Sequence, residues 1–442
     1  MSAAPPTETL RLELDDIQRG VLHPRPSPYV GTYVLLRIED RRAGREFVRR
    51  LLPAIASAGS SRSPTHEGSV SVAFTHQGLK ALGVPRDSLE SFAPEFRQGM
   101  AARADELGDR GESSPERWEE PFGSPDVHVA LAALSSDAAG LETMLDHARR
   151  AHEELPGVAP IWRQDCYQLP TGRTSFGFKD GIGQPDVESS GVPLTNPHQR
   201  PIRAGEFIFG YHDETGALPP MPTPEVLGRN GTYLAFRKLH TRVAAYRRYL
   251  RSKAASRQEQ ALLGAKIVGR WPSGAPLALC PDRDDPGLGA DPERNNAFLY
   301  GDDVRGFRCP AGAHARRANP RDALDQDGSV DVRLHRMIRR GTSYGPVVPE
   351  GVLEDDGAER GIVFVFVGTH LKRQFEFVKT QWLNDGVFIG APIEKDPLAG
   401  QHDRPGTFTI PQRPIIASGW PKVAVSEAMM KSVLWVISDP PP

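Results

Sequence analysis

The sequence predicts an α+β fold. Two observations carry this. Strand-like and helix-like segments occur in both halves of the chain, but they do not alternate strictly one for one. Glycine (43) and proline (41) together make up roughly a fifth of the 442 residues and are scattered without a period, so the elements are joined by many turns and loops rather than by low-complexity sequence. A chain of this length also exceeds one small core, and two domains or one duplicated unit is expected.

The elements follow in order. The first fifteen residues read as a loose arm. "YVGTYVLLRIED" (29–40) is rich in β-branched and aromatic residues and reads as a strand. "RRAGREFVRRLLPAIASA" (41–58) has apolar residues at helical spacing. "SVSVAFTHQGLKALG" (69–83) reads as a strand and then a helix. The polar, prolyl run 109–126 reads as a surface loop. "VHVALAALSS" (127–136) reads as a strand and "LETMLDHARRAHEEL" (141–155) as an amphipathic helix. In the second half, "GEFIFGY", "GTYLAFRKLH" and "GIVFVFVGTH" read as strands. The run 242–270 and "HLKRQFEFVKTQWLNDG" read as helical, and the stretch from Pro292 to Asp322 as irregular. The prolyl, polar segment "VPLTNPHQRPIRAG" (192–205) marks a boundary, giving domains 1–204 and 205–442.

Composition excludes several functions. Formal net charge is −2, so no global basic field exists for nucleic acid or anionic lipid. Three cysteines, Cys166, Cys280 and Cys309, lie far apart with no CxxC pair, against a disulfide framework or zinc site. No run of about 18 apolar residues predicts a membrane span. The N-terminal sequence shows no secretory or twin-arginine leader, and the C-terminal sequence no cargo tail for a protein shell; the expectation is a cytoplasmic, unencapsulated protein. Gly181-x-Gly183 lacks the third glycine of a dinucleotide fingerprint, and Pro185 breaks the helix that would follow.

Three segments carry chemistry. Gly177-Phe178-Lys179-Asp180-Gly181-Ile182-Gly183-Gln184-Pro185 sets one carboxylate among glycines, where main chain can approach a flat ligand. Cys309 to Arg321 places His314 among small residues with arginines just downstream. Met337 to Gly345 adds the pair Arg339-Arg340 before a glycine. An acid, a histidine and an arginine in glycine-marked settings suit a metal-cofactor site.

These segments resemble the dye-decolorizing peroxidases, a family of haem enzymes whose GxxDG signature reads here as Gly177 to Gly181. "DDIQRGVL", "AGEFIFGY" (204–211), "NGTYLAFRKL" (230–239), "GAKIVGRWPSGAPLA" (264–278) and "RQFEFVKTQWLNDG" (373–386) resemble family segments in family order, over nearly the whole chain. The resemblance implies tandem ferredoxin-like domains, each with a four-stranded antiparallel sheet, the two sheets facing each other with helices outside. It implies haem b (iron protoporphyrin IX) on the second half, reached by the acidic segment of the first. Its substrates would be hydrogen peroxide and small aromatic reductants, and since family members are often oligomeric, self-association is expected. A haem carrier or sensor on the same fold is the alternative function.

By this resemblance His314 is the iron ligand, with His335 its competitor. Asp180 is the acid–base that moves the peroxide proton. Arg339, rather than Arg340, is the guanidinium that stabilises charge on the leaving oxygen. Some relatives carry an Asn two residues after this arginine; here the position is Gly341. Gly181, Ile182 and Gly183 would lie along the haem, and Asn319, Pro320 and Arg321 beside it, Arg321 pairing a propionate. The carboxylate that supports a ligating histidine is either Glu376 or Asp385. Phe364 and Phe366 share a strand face and are read as core or pocket lining. Trp162, Trp271, Trp382, Tyr167 and Tyr344 are candidate electron relays to bulky dyes.

Overall fold

The computed structural model describes residues 11–60, 68–196, 199–324, 331–402 and 406–411, with the backbone of two further strands at 423–425 and 430–435. The first half holds β1 (Val30–Ile38), β2 (Gly68–Phe74), β3 (Val129–Ser135) and β4 (Val158–Tyr167) in one antiparallel sheet of order β2-β3-β1-β4. Helices Arg41–Leu51 and Ala138–Glu153 begin where Asp40 and Asp137 side chains accept from the Ala43 and Gly140 amides. Their apolar stripes, including Phe47, Leu51, Leu145 and Ala148, bury against Leu36, Val129 and Leu131 on the outer sheet face. The succession strand–helix–strand–strand–helix–strand is the ferredoxin-like unit.

The second half repeats that order. Its strands are β5 (Tyr233–Thr241), β6 (Ile338–Arg339), β7 (Thr342–Tyr344), β8 (Gly361–Gly368) and β11 (Met430–Trp435). The path is β11-β5-β8-β6, and β7 also pairs β8. β6 and β7 are one strand interrupted at Arg340-Gly341, so Arg339 stands at a break in the sheet. β9 (Gly406–Phe408) and β10 (Val423–Val425) form a separate ribbon. The two sheets face each other without closing into a barrel. Between them the Tyr33 ring meets Phe236 edge-on with centroids 5.1 Å apart, Thr342 Oγ1 donates to Tyr33 Oη at 3.1 Å, and Tyr167 Oη donates to the Gly345 carbonyl at 2.8 Å. The α+β, facing-sheet expectation is met.

Several element-level expectations are corrected. "GEFIFGY" is not a strand; it is a short turn (Ala204–Glu206) and a loop whose Phe207, Ile208 and Phe209 are almost wholly buried. Its backbone bonds are made within turns instead of a ladder: Phe207 N and Ile208 N donate to the Ala204 carbonyl, and Phe209 N to the Gly231 carbonyl at 2.9 Å. β4 was not expected because Pro160 interrupts its pattern. It lies on the sheet edge, and its register slips opposite Leu35/Leu36, where a missing N–H is tolerated. The helical run 242–270 divides at Ala254–Ser256, where Ser256 and Glu259 cap a second helix, Arg257–Val268. Leu371–Leu383 is π-helical. Residues 11–15 are not loose: Leu12 is buried against the second half and Glu13 bonds Arg229 and Asn230. The rest of that arm, and the last residues of the C-terminal sequence, fall outside the described residues. Among the described residues no helix is long and apolar enough to cross a membrane.

Candidate functional site

The acidic segment is a built turn. Thr174 N donates to the Phe178 carbonyl and Gly177 N to the Thr174 carbonyl, a tightness that Gly177 permits with φ +89°. Phe178 buries among Tyr246, Leu263 and Ile267 of the second half. Lys179 anchors there too, its Nζ donating to the Gly289 carbonyl at 2.8 Å. Ile182 seats over Gly274, where a Cβ would stand 2.6 Å from Ile182 Cδ1. The first half thus delivers Asp180 onto the second. Asp180 Oδ1 accepts from the Gly181 amide at 2.7 Å, and Oδ2 accepts from Arg25 Nη2, also at 2.7 Å.

Arg339 meets this turn from β6. Its amide donates to Gln184 Oε1 at 2.9 Å and its Nη2 to the Gly183 carbonyl at 3.0 Å, while its Nε is buried without a partner. Burial pulls its pKa down; the Asp180 charge works against that. Arg340, next on the strand, points the other way and donates to the Gly20, Val21 and Leu22 carbonyls.

His314 opens a one-turn helix, His314–Ala318. Its Nδ1 bonds Asp396 Oδ2 at 2.9 Å, and Asp396 is wholly buried, its Oδ1 accepting from the Leu398 and Ala399 amides. Burial lowers the His314 pKa, but the Asp396 charge and hydrogen bond outweigh it and the net shift is upward. Burial likewise raises Asp396, and His314, the Ala399 amide and Arg317 overcome it to hold the carboxyl low. This overturns the expected supporting acids. Glu376 is committed to Arg103, at 2.6 and 2.7 Å, and Asp385 Oδ1 accepts from the Val387 amide. His335 is structural, stacked on Phe377 with Nδ1 on the Arg373 carbonyl.

Arg316 and Arg317 are buried rather than a surface basic patch. Arg317 donates to the carbonyls of Gly312, Trp382, Asp385 and Glu394, knitting the loops behind His314. Arg321, at φ +54°, donates to the Asn296 and Phe298 carbonyls and lies 3.9 Å over the Phe298 ring. Pro320 is buried, and Asn319 Oδ1 is buried without a partner. Phe364 and Phe366 both pack near Phe375. Of the relay candidates, Trp271, Trp382 and Tyr344 are buried, whereas Trp162 and Tyr167 are half-buried.

The residues fit a flat, anionic, iron-bearing group on two grounds. First, His314 is deep in the protein, yet 34% of its side chain is accessible: it faces an internal space rather than packed side chains. Second, Arg270, Arg321, Arg336 and Arg339 crowd together, and among the described residues none has a carboxylate in ion-pair contact. Burial, then repulsion from Arg321, Arg339 and Arg333, drags the Arg336 pKa down to about 9. A guanidinium keeps its proton at working pH, and positive charges gathered in this way suit an anionic partner. No cluster of three His, Cys, Asp or Glu side chains that could cage a metal exists among the described residues. Sequence reasoning missed Asp396, Arg336 and Arg25, none of which sits in a motif. A cavity of about 620 Å³ also opens between the sheets beside the arm; Arg25 and Arg340 wall it, but His314, Asp180 and Arg339 do not.

Comparison with known proteins places the chain in a family. Residues 16–155 match the family described as the DyP dimeric alpha+beta barrel domain. The dye-decolorizing peroxidase msp1 of Mycetinis scorodonius is 33% identical over 373 residues, covering 79% of this chain and 69% of that protein. The dye-decolorizing peroxidase AauDyP1 of Auricularia auricula-judae is 33% identical over 361 residues, covering 76% and 67%. The solved structure of an ancestral D-type dye decolorizing peroxidase superposes with a TM-score of 0.81 at 27% identity, covering 96% of both chains. A dye-decolorizing peroxidase in complex with 2,6-dimethoxyphenol superposes with a TM-score of 0.77 at 27% identity, covering 95% of this chain and 96% of that one. With a third of its residues shared across most of its length, this chain belongs to the dye-decolorizing peroxidases, a family of haem peroxidases.

Proposed function

We propose that this peroxidase carries haem b in the space at His314, reduces hydrogen peroxide there and takes the electrons from phenolic or dye-like donors. The observation that carries the reading is His314 itself: one ring nitrogen is bonded to a buried carboxylate, the ring is 34% accessible, and Arg339, which has no ion-pair partner among the described residues, acts on it. His314 would hold the iron through Nε2. Arg321, Arg336 and Asn319 would hold the carboxylates, and Gly181, Ile182, Gly183 and Pro320 would border the ring. Haem, when bound, supplies the iron that exchanges electrons with peroxide and donor.

The chain's own residues do the rest. His314 Nδ1–H donates to Asp396, which makes the ring a stronger electron donor through Nε2. Asp180 would take a proton from one peroxide oxygen and return it to the other, which leaves as water with the electron pair of the O–O bond; bound haem would supply the two electrons that this reduction needs. Arg339 donates N–H bonds to that leaving oxygen and offsets its developing negative charge; its proton stays in place. Trp162 and Tyr167 are the relay candidates nearest solvent. A cytoplasmic, self-associating protein divided at 204/205 completes the proposal; three unpaired cysteines suit a reducing compartment.

Rapid mixing of the haem-loaded enzyme with peroxide tests the roles. Asp180→Asn and Arg339→Ala should each keep the resting spectrum and slow the first spectral change by roughly 10²- to 10⁴-fold. Unchanged rates in both variants would remove the pair from the mechanism.

A further inference from the structure

Arg25 lies 155 residues from Asp180, between the N-terminal arm and β1, yet its Nη2 donates to Asp180 Oδ2 at 2.7 Å. Its guanidinium rests 4.4 Å over the Tyr29 ring, and its Nε is buried without a partner. Both ends of this support are fixed by the strand pair that supplies Arg339. Arg340 donates to the carbonyls of Gly20, Val21 and Leu22 just before Arg25. The Ser343 amide donates to Tyr29 Oη at 2.7 Å just after it. One short stretch, 339–343, therefore places the guanidinium over the turn and, through the arm, a second guanidinium behind the acid.

Stability does not explain this pair. The side chains are 18% and 39% exposed, and ion pairs in such settings contribute about 0–1 kcal/mol. Orientation does. Asp180 has a short side chain flanked by Gly181, and without a second tether its carboxylate can turn among staggered rotamers. With Gly181 N on Oδ1 and Arg25 on Oδ2, one orientation is selected, within range of the Arg339 charge.

We propose that Arg25 is a positioning residue for the peroxide reaction: it holds the Asp180 carboxylate in the orientation that receives and returns the peroxide proton. The proposal rests on the Asp180 role stated above. Arg25 neither gains nor loses a proton; the proton passes from the near oxygen to Asp180 and on to the far oxygen, and the guanidinium only fixes the carboxylate.

The test is a double-mutant cycle on the full haem-loaded chain: Arg25→Ala, Asp180→Asn, both together, and Arg25→Lys. Bimolecular rate constants with peroxide are measured by rapid mixing, and amide hydrogen exchange over residues 19–29 is followed in parallel. Arg25→Ala should slow the peroxide step roughly 10- to 100-fold, as small misplacements of reacting groups do. Arg25→Lys should recover part of the rate. The double variant should be no slower than Asp180→Asn, with donor KM and arm exchange unchanged. In the haem-free chain, the Asp180 carboxylate stretch, isolated by infrared difference against Asp180→Asn, should shift when Arg25 is removed. A wild-type rate in Arg25→Ala, a further loss in the double variant, faster exchange across the arm, or an unshifted band each overturns the Arg25 role and leaves Asp180 in place. A wild-type rate in Asp180→Asn overturns both.

Discussion

Asp396 shows how a buried residue can govern a site it does not border. It spends one oxygen on two backbone amides and the other on His314, so the histidine's tautomer and ring direction are set before any cofactor arrives. Asp396→Asn should keep haem bound but make His314 a poorer donor. We expect a higher iron reduction potential and a peroxide step slowed by roughly 10- to 100-fold, the usual range for losing such an outer partner. A potential equal to wild type in a redox titration would show that another group supports the ring. The histidine was legible from its motif, because ligand and neighbours lie within a few residues. The acid was not: it stands 82 positions away in a loop with no pattern of its own. Glu376 looked eligible from its place on a helical stretch, but Arg103, arriving from the first half, already holds it.

At the level of elements, the acidic turn and the π-helical stretch define the site's two sides. The turn depends on Gly274, at φ +98°, whose missing side chain is the space that Ile182 fills. Gly274→Ala should cost on the order of 1–3 kcal/mol, through overpacking and through strain at positive φ. It should also slow the peroxide step by shifting Asp180; a variant with wild-type melting and rate would show that the turn does not depend on this contact. Behind His314, Lys379 and Arg237 share the single buried carboxylate of Asp109, at 2.9 and 3.1 Å. Burial and Arg237 press the Lys379 pKa down to about 8. The sign follows from proton counts. Between pH about 8 and 10.5 the unfolded chain holds this proton and the folded one has released it, so stability rises with pH across that window. The difference in unfolding free energy between wild type and Lys379→Met should therefore drift in favour of wild type from pH 8 to 10; a constant difference would contradict the shift. The outer helices and central strands were readable from periodicity alone. β4 was hidden by Pro160, and "GEFIFGY" imitated a strand because a short, fully buried apolar run carries no period that separates ladder from loop.

As a whole molecule, the chain brings two copies of one topology face to face and reserves the chemistry for their meeting. Asp180 comes from the first half, Arg339 and His314 from the second, and the segment between the arm and β1 brings Arg25 to Asp180. The core contact between the sheets is apolar and aromatic. The arginines near His314 differ: Arg270, Arg321 and Arg339 bond carbonyls and side-chain amides, but among the described residues none of them, nor Arg336, has a carboxylate in ion-pair contact. Cofactor loading should therefore stabilise the whole protein, by RT ln(1 + [L]/Kd) for a ligand that binds only the folded state. The most direct measurement is an absorption titration of haem into the haem-free chain and into His314→Ala, with melting temperature followed in parallel. The wild type should show a saturable Soret band and raised melting, and His314→Ala an altered iron spectrum that exogenous imidazole shifts back toward wild type. A spectrum of His314→Ala identical to that of the wild type, or no saturable band in the wild type, would contradict it.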